Sequence, residues 1–325
     1  MTQTTSIIVE WENVLLAEDE RCVEMLKRLR GQILESAMPT EVLIVFNPEQ
    51  VAGTIIEDAV STYLNPALQA DGGRINCRIL PGPGLHYFDL KNFGAQQSQG
   101  DIVVFIDSDV IPEEKWLQNL LAPFQQFEGI QVVGGQTHID TDTLMAKAFS
   151  LGWFFPLREP PGKVTRNAHG FFANNVAFRR DTFARYPFPP MPPGITRGAC
   201  VTLAESLKEA GIDILKTSSA CCSHPPPNGW HHFFIRGLAE GRDRASRQLA
   251  SGDSKPRIAF AFFRNQISRV RKSTKKIVRH RATVDLSGAE APLAVVLMTM
   301  FHISQIFGAW IYLAFPDFAK RQWRI

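Results

Sequence analysis

Two carboxylates one residue apart, Asp107 and Asp109, close the strongest apolar run of the chain, Ile102-Val103-Val104-Phe105-Ile106. Ionised groups at the end of a buried strand are costly unless something uses them. Paired acids of this kind supply the oxygen donors that hard divalent cations and their phosphate ligands prefer. Pro112 stops the run, and Glu113-Glu114-Lys115-Trp116-Leu117 reads as the first turn of a helix. The plainer reading is a solvated turn with an Asp capping the next helix. Position argues for the chemical one, because ligands of open α/β sheets gather at the carboxyl ends of strands.

The elements that must position these acids precede them. Apolar, β-branched runs at residues 6–11, 40–46 and 75–80 read as strands, and residues 17–33, 51–64 and 86–99 carry helical spacing. Strands alternating with helices imply a doubly wound, parallel α/β sheet. Right-handed crossovers would gather the strand ends Glu10–Asn13, Asn47 and Asp107–Asp109 along one edge. Later the pattern weakens. A strand is expected within residues 170–180, a proline-rich loop at 187–194, a helix at 201–210 and a short strand at 212–217 that leads to Cys221-Cys222-Ser223-His224.

The formal net charge of +3 is unevenly spread. Residues 251–290 hold 10 Lys and Arg against 3 acids, interleaved with Ile258, Phe260, Phe262, Phe263, Ile267 and Val270. That mixture reads as an amphipathic helix lying on an anionic membrane surface rather than as a nucleic-acid binder. Residues 293–315 follow without a charge, long enough to span a bilayer, although Thr299, His302, Ser304 and Gln305 weaken the signal. Basic residues crowd the near side of this segment, while only Lys320, Arg321 and Arg324 follow it, so the expectation is a cytoplasmic face. The five cysteines form no CxxC pair, which argues against a zinc site or a disulfide framework. Three regions are expected: 1–250, a basic segment 251–290, and a candidate transmembrane helix with a short tail, 291–325.

Residues 5–245 resemble the family 2 glycosyltransferases, which have the GT-A fold. Asp107-Ser108-Asp109 is similar to their DxD motif, Lys91-Asn92-Phe93-Gly94-Ala95 to their Arg-Asn-x-Gly stretch, and Glu12-Asn13 to the end of their first nucleotide-binding strand. Asn47 stands where the family usually has an Asp that touches the base. The segment with Asn174 and Asn175 resembles the one before the acceptor site, and His224 matches a frequent third metal ligand. The resemblance implies a mostly parallel GT-A sheet and a divalent cation, Mn2+ or Mg2+. It implies a nucleotide-diphosphate sugar as donor and a glycan or lipid-linked acceptor at the membrane.

Glycosyl transfer from such a donor needs the leaving diphosphate neutralised, which a cation held by carboxylates and imidazole achieves. Asp109 and His224 are the candidate direct ligands, with Asp107 on the metal or the ribose. Arg236 and Arg242 could clamp the diphosphate. One departure stands out: the family's Glu-Asp pair, whose Asp is the catalytic base, is replaced by Ala199-Cys200. A thiol is a poor general base at its free pKa. Cys200, Glu205, Asp213 and His169 remain open as the base. Two other readings compete. One is a sugar-nucleotide or glycan-binding module that has lost its base. The other is a phosphatase of the haloacid dehalogenase type, with Asp107 as nucleophile and Asp109 as acid/base.

Overall fold

In a computed structural model of the chain, residues 3–15, 19–64, 75–166, 168–191, 195 and 197–323 are described. The expected helix start at Ala17, residues 192–194 of the proline-rich loop and Arg324 of the tail lie outside the described residues.

Two compact units divide the chain. The first holds residues 1–137, 158–190 and 199–224. Its parallel half contains β1 (Thr5–Glu10), β2 (Thr40–Phe46), β3 (Ile75–Pro81) and β4 (Ile102–Asp107), joined through α1 (Asp19–Leu34), α2 (Gly53–Tyr63) and α3 (Tyr87–Gln97). The central strands are apolar on both sides because both of their faces are covered; Ile7, Ile8, Val103, Val104 and Phe105 are fully buried.

Strand order is β3-β2-β1-β4, so the chain leaves β1 on one side and returns at β4 on the other. Loops diverge at such a switch, and a crevice opens at the carboxyl ends of the two strands. Glu10 and Asp107 are register partners across that point.

Beyond β4 the neighbours turn antiparallel. β8 (Asn175–Arg179) pairs with β4 and with β6 (Val132–Ile139), and β9 (Ile214–His224) pairs with both β5 (Ile111–Pro112) and β7 (Val164–Thr165). The sheet is therefore mixed, where the alternation of elements suggested parallel strands. Period and hydrophobicity report burial, not strand direction. The helices of this half are α4 (Trp116–Gln126), α6 (Arg180–Arg185) and α7 (Ala199–Glu209).

The second unit, residues 138–157, 191–198 and 225–325, is helical. It comprises α5 (Leu144–Gly152), α8 (Gly229–Ala250), α9 (Lys255–His280), α10 (Ala291–Ala314) and α11 (Pro316–Gln322). Within it, α8 packs along the apolar helix α10.

That packing is close. A Cβ on Gly241 of α8 would fall 1.9 Å from the carbonyl oxygen of Gln305, and one on Gly308 of α10 would fall 2.0 Å from that of Leu238. Small residues at such crossings let helix backbones touch. Of the polar residues that interrupt the apolar run, His302, Ser304 and Gln305 turn inward. His302 Nδ1 meets Gln266 Oε1 of α9 at 2.9 Å, and Gln305 donates to Glu240 of α8 at 3.0 Å. Val296, Ile303, Phe307 and Trp310 face outward and are exposed.

Candidate functional site

Asp107 ends β4 at the switch point and is almost completely buried. Its neighbours come from the start of α3 and the end of β1. Lys91 Nζ lies 2.5 Å from Oδ1. Tyr87 OH donates to Oδ2 at 2.8 Å, and Asn13 Nδ2 donates to the same oxygen at 3.1 Å. Tyr87 and Lys91 are four residues apart, on one face of α3, which is why both reach the same carboxylate. Burial, reinforced by Asp107, raises the Tyr87 phenol well above its ordinary pKa. Burial likewise raises the Glu10 carboxyl well above the usual carboxylate range, with Asp107 as the next cause. Glu10 accepts from the backbone N–H of Glu12. Glu12 takes the backbone N–H of Tyr87 at 2.9 Å and His86 Nδ1 at 3.1 Å. It thus holds the first turn of α3 against the end of β1.

Asp109 lies two residues further on and is 5 % exposed. Arg21 of α1 donates from Nε to its backbone carbonyl at 2.5 Å and from Nη2 to Ser223 Oγ at 3.0 Å. One guanidinium thereby ties the loop after β4 to the end of β9. The β5–β9 pairing does the same through the backbone, with Ile111 opposite Ser223. Continuing that antiparallel register sets His224 beside Val110, next to Asp109. Carboxylate and imidazole are donor types that suit Mn2+ or a similar cation. Three buried polar atoms near this point, Trp11 Nε1, Ser108 Oγ and Glu10 Oε2, have no hydrogen-bond partner among the described residues. Buried polar groups ordinarily do, so their clustering at the switch point fits a site that receives a polar ligand.

Other residues expected in the site are occupied by the fold. As arranged, Asp107 has both oxygens engaged, and Lys91 neutralises it instead of meeting a ligand. Asn92 clamps the backbone of Phe188, donating to its carbonyl at 2.9 Å and accepting from its N–H at 3.1 Å. Asn175 takes the Trp116 indole N–H at 2.8 Å and donates to the carbonyls of Gln136 and Ala220, which uses both of its amide hydrogens. Asn174 accepts from Thr137 Oγ1 at 3.2 Å. Asn47 is 2 % exposed and caps its own turn through Glu49 N–H.

Arg242 is fully buried in the second unit, where it pairs with Asp243 at 2.6 Å and donates to the carbonyl of Trp323; it cannot serve as a diphosphate clamp. Arg236, also in that unit, stacks 5.1 Å over the Trp153 ring and lies 3.9 Å from Glu240.

Cys200 is half-buried in the first turn of α7, and its charge bears on the ionisation of Tyr87. That brings the thiol to the Asp107 neighbourhood. Glu205 is exposed and about 140° round the helix from Cys200, so it faces elsewhere. Asp213 and His169 are exposed as well. Sequence reasoning placed Glu10 at this edge but missed Tyr87 and Arg21 as parts of the neighbourhood. The signal for Tyr87 was a Tyr–Lys pair at helical spacing.

A parallel β3-β2-β1-β4 half, an antiparallel extension and an acid pair at the switch point define the GT-A class of nucleotide-sugar-binding folds. The sequence profile of "Glycosyl transferase family 2" matches residues 20–186, so the chain belongs to that family. No curated protein sequence matches it significantly. Among solved structures it is similar to the mannosyltransferase PcManGT from Pyrobaculum calidifontis, in complex with GDP-Man and Mn2+. That likeness has 15% identity and a TM-score of 0.56, over 98% of this chain and 88% of the other. A weaker likeness, at 12% identity and a TM-score of 0.48 over 70% of this chain and 44% of the other, is to GalNAc-T7 with UDP, GalNAc and Mn2+. The phosphatase reading falls with this membership. Its nucleophile would be Asp107, whose oxygens are held by Lys91, Tyr87 and Asn13.

Proposed function

We propose that the chain transfers a sugar from a nucleoside-diphosphate sugar to an acceptor presented at a membrane surface, with the donor diphosphate held through a divalent cation at Asp109 and His224. The observation that carries this is the acid pair at the switch point of a family 2 fold, with Arg21 and the β5–β9 pairing holding the end of β9 against the loop after β4. The cation, when bound, would offset the charge of the leaving diphosphate. The protein's own part is positional. Arg21 and the β5–β9 pairing fix the donor loop, while Lys91, Tyr87 and Asn13 hold Asp107 as the floor beneath it. The GDP-Man and Mn2+ bound by the Pyrobaculum calidifontis enzyme are the kind of ligands this reading expects.

The membrane part rests on the second unit. Phe263 of α9 stacks with Trp310 of α10, whose ring also contacts Phe307; Phe260, Ile267 and Ile303 are exposed too. A contiguous exposed apolar surface on this scale marks an interaction site. Arg264, Arg271 and Lys275 follow on the adjoining flank of α9, which suits anionic lipid. Because α10 buries His302, Ser304 and Gln305 against helices that carry charges, we read it as lying in the membrane interface rather than crossing the bilayer alone. The basic flank favours the cytoplasmic leaflet.

A thermal-shift screen of nucleoside-diphosphate sugars with and without manganese tests the donor site. Stabilisation by one donor that needs manganese and vanishes in Asp109→Ala is the expected result; equal stabilisation in that variant sinks the assignment. A binding module is the second reading, favoured by Ala199-Cys200 in place of the acids. It predicts donor binding with neither transfer to membrane extracts nor hydrolysis. Vesicle flotation tests the membrane part: binding should survive high salt, since apolar side chains contribute, and should fall in Phe263→Ser/Phe307→Ser.

A further inference from the structure

The second unit contains a cavity of about 290 Å³ whose lining is cationic. Arg269, Lys272 and Lys276 line it from α9, at positions i, i+3 and i+7, and Arg244 enters from α8. Ser273 and, from α10, Gln305 add neutral hydrogen-bonding groups. Basic residues on amphipathic helices usually face solvent beside acids that balance them. Here the balance is missing. Among the described residues Glu240 supplies the nearby carboxylate, and it is already committed to Trp153 Nε1 at 2.7 Å, Gln305 at 3.0 Å and Arg244 at 3.6 Å. Lys272 and Lys276 have no ion-pair partner among the described residues, while Arg269 feels the like charge of Arg244 and, more weakly, Glu240. Arg269 and Lys272 are exposed at its mouth, and Lys276 is half-buried. Like charges drawn from two helices into one cavity repel at close range unless an anion joins them.

We propose that this cavity is a binding site for a phosphate or diphosphate group, distinct from the donor site at Asp109. Its cationic lining comes from two helices, and Arg and Lys are the side chains that recognise phosphate oxygens. Its volume is at the small end of ligand pockets, enough for a phosphorylated headgroup or a small phosphate ester. Phe154 at the rim is 46% exposed and offers an apolar face to whatever the phosphate carries. The cavity-lining stripe of α9 lies roughly half a turn from the apolar stripe at Phe260, Phe263 and Ile267, by the 100° step per residue. A ligand here is therefore held by charge and hydrogen bonds, separately from the surface that meets lipid.

Binding of inorganic pyrophosphate to the full-length protein in detergent, measured by calorimetry with EDTA present, isolates this site from metal-dependent binding at Asp109. Lys272→Gln/Lys276→Gln should weaken it at least tenfold. Lys27→Gln/Arg28→Gln removes the same charge from the exposed face of α1 and should leave it unchanged. A parallel arm uses phosphatidylcholine vesicles doped with phosphatidic acid or, at equal charge, phosphatidylserine. If the Lys pair matters for phosphatidic acid vesicles alone, the phosphate belongs to a lipid; if it matters for pyrophosphate, a soluble phosphate suffices. Equal effects of the two double variants in both arms, or no effect of the Lys pair in either, overturns the proposal. Manganese-dependent donor binding should persist in every variant, so failure here is separable from failure of the donor site.

Discussion

Replacing Lys91 with Met should destabilise the fold severely, and the structure says why. Lys91 Nζ and Asp107 Oδ1 are 2.5 Å apart, with side-chain exposures of 0% and 3%. Removing one partner of a buried pair leaves a charge with neither water nor counterion, at about 3–5 kcal/mol. Folded domains are stable by about 5–15 kcal/mol in all, so Lys91→Met alone removes a large share. Asp107→Asn should cost a similar amount by stranding the ammonium, which then has the Tyr87 and Phe105 rings at 4.7 and 5.8 Å and the Glu10 carboxyl, which burial holds toward its neutral form. The double variant Lys91→Met/Asp107→Asn strands no charge, and the new amide can still meet Tyr87 and Asn13. Its loss should be far smaller than the sum of the singles, leaving a coupling of several kcal/mol. Guanidinium unfolding of the four proteins in detergent closes the cycle. Additive losses, or a coupling below about 1 kcal/mol, would mean that the pair behaves like a surface ion pair and that Asp107 is free for other work.

Three further outcomes are expected. Cys200→Asp should raise the transfer rate at neutral pH with donor affinity unchanged, because a carboxylate is ionised there and an ordinary thiol mostly is not; a fall of more than tenfold would show that the thiol itself takes part. Gly241→Ala should cost about 1–3 kcal/mol by overpacking, since its Cβ would meet backbone of α10 at 1.9 Å, whereas Gly31→Ala in α1, with nothing within 4 Å, should be neutral or stabilising; thermal unfolding ranks the two. Burial, with Arg236 and Arg197 next, pulls His232 down to about 3, so the folded state binds fewer protons than the unfolded one below about pH 6.5; the stability is present above that pH and lost as it falls toward 3, by up to about 2 kcal/mol at pH 5, and His232→Gln should flatten the difference between pH 7 and pH 5.

The parallel half of the sheet was legible because each strand is a continuous apolar run and each helix carries its own period. Even the ends agree: residues 40–46 were read as a strand and form β2. The antiparallel half was harder. β9 runs from Ile214 to His224, well past the six residues whose apolar character announced it, since Ser218, Ser219 and Ser223 break the pattern. The helix α8 was not read at all, because its inward face includes Gly237, Glu240, Gly241, Arg242 and Asp243, and no hydrophobic period survives that. Arg242 shows the consequence. In sequence it looks like a surface cation available to phosphate, while in the fold it secures the C-terminal helix. Pairing partners 77 or more residues away leave no local trace.

The acid pair itself carries the more general lesson. Sequence spacing treats Asp107 and Asp109 as equivalent, and the fold gives them different surroundings. Asp107 is the last residue of β4, in register with Glu10 on β1. Its side chain enters the layer closed by α3, where Tyr87 and Lys91 stand one helical turn apart. The resulting ion pair cancels its charge, and Glu10 beside it is held toward its neutral form by burial, with Asp107 as the next cause. Asp109 lies past the strand end, where its carbonyl rather than its carboxylate is the acceptor for Arg21 Nε, and where β9 delivers His224. One acid thus fixes how β1, β4 and α3 meet, and that junction sets the loop on which the other acid is displayed. A substitution at Lys91 should therefore disturb donor binding through the position of Asp109, even though Lys91 meets no donor atom in this reading.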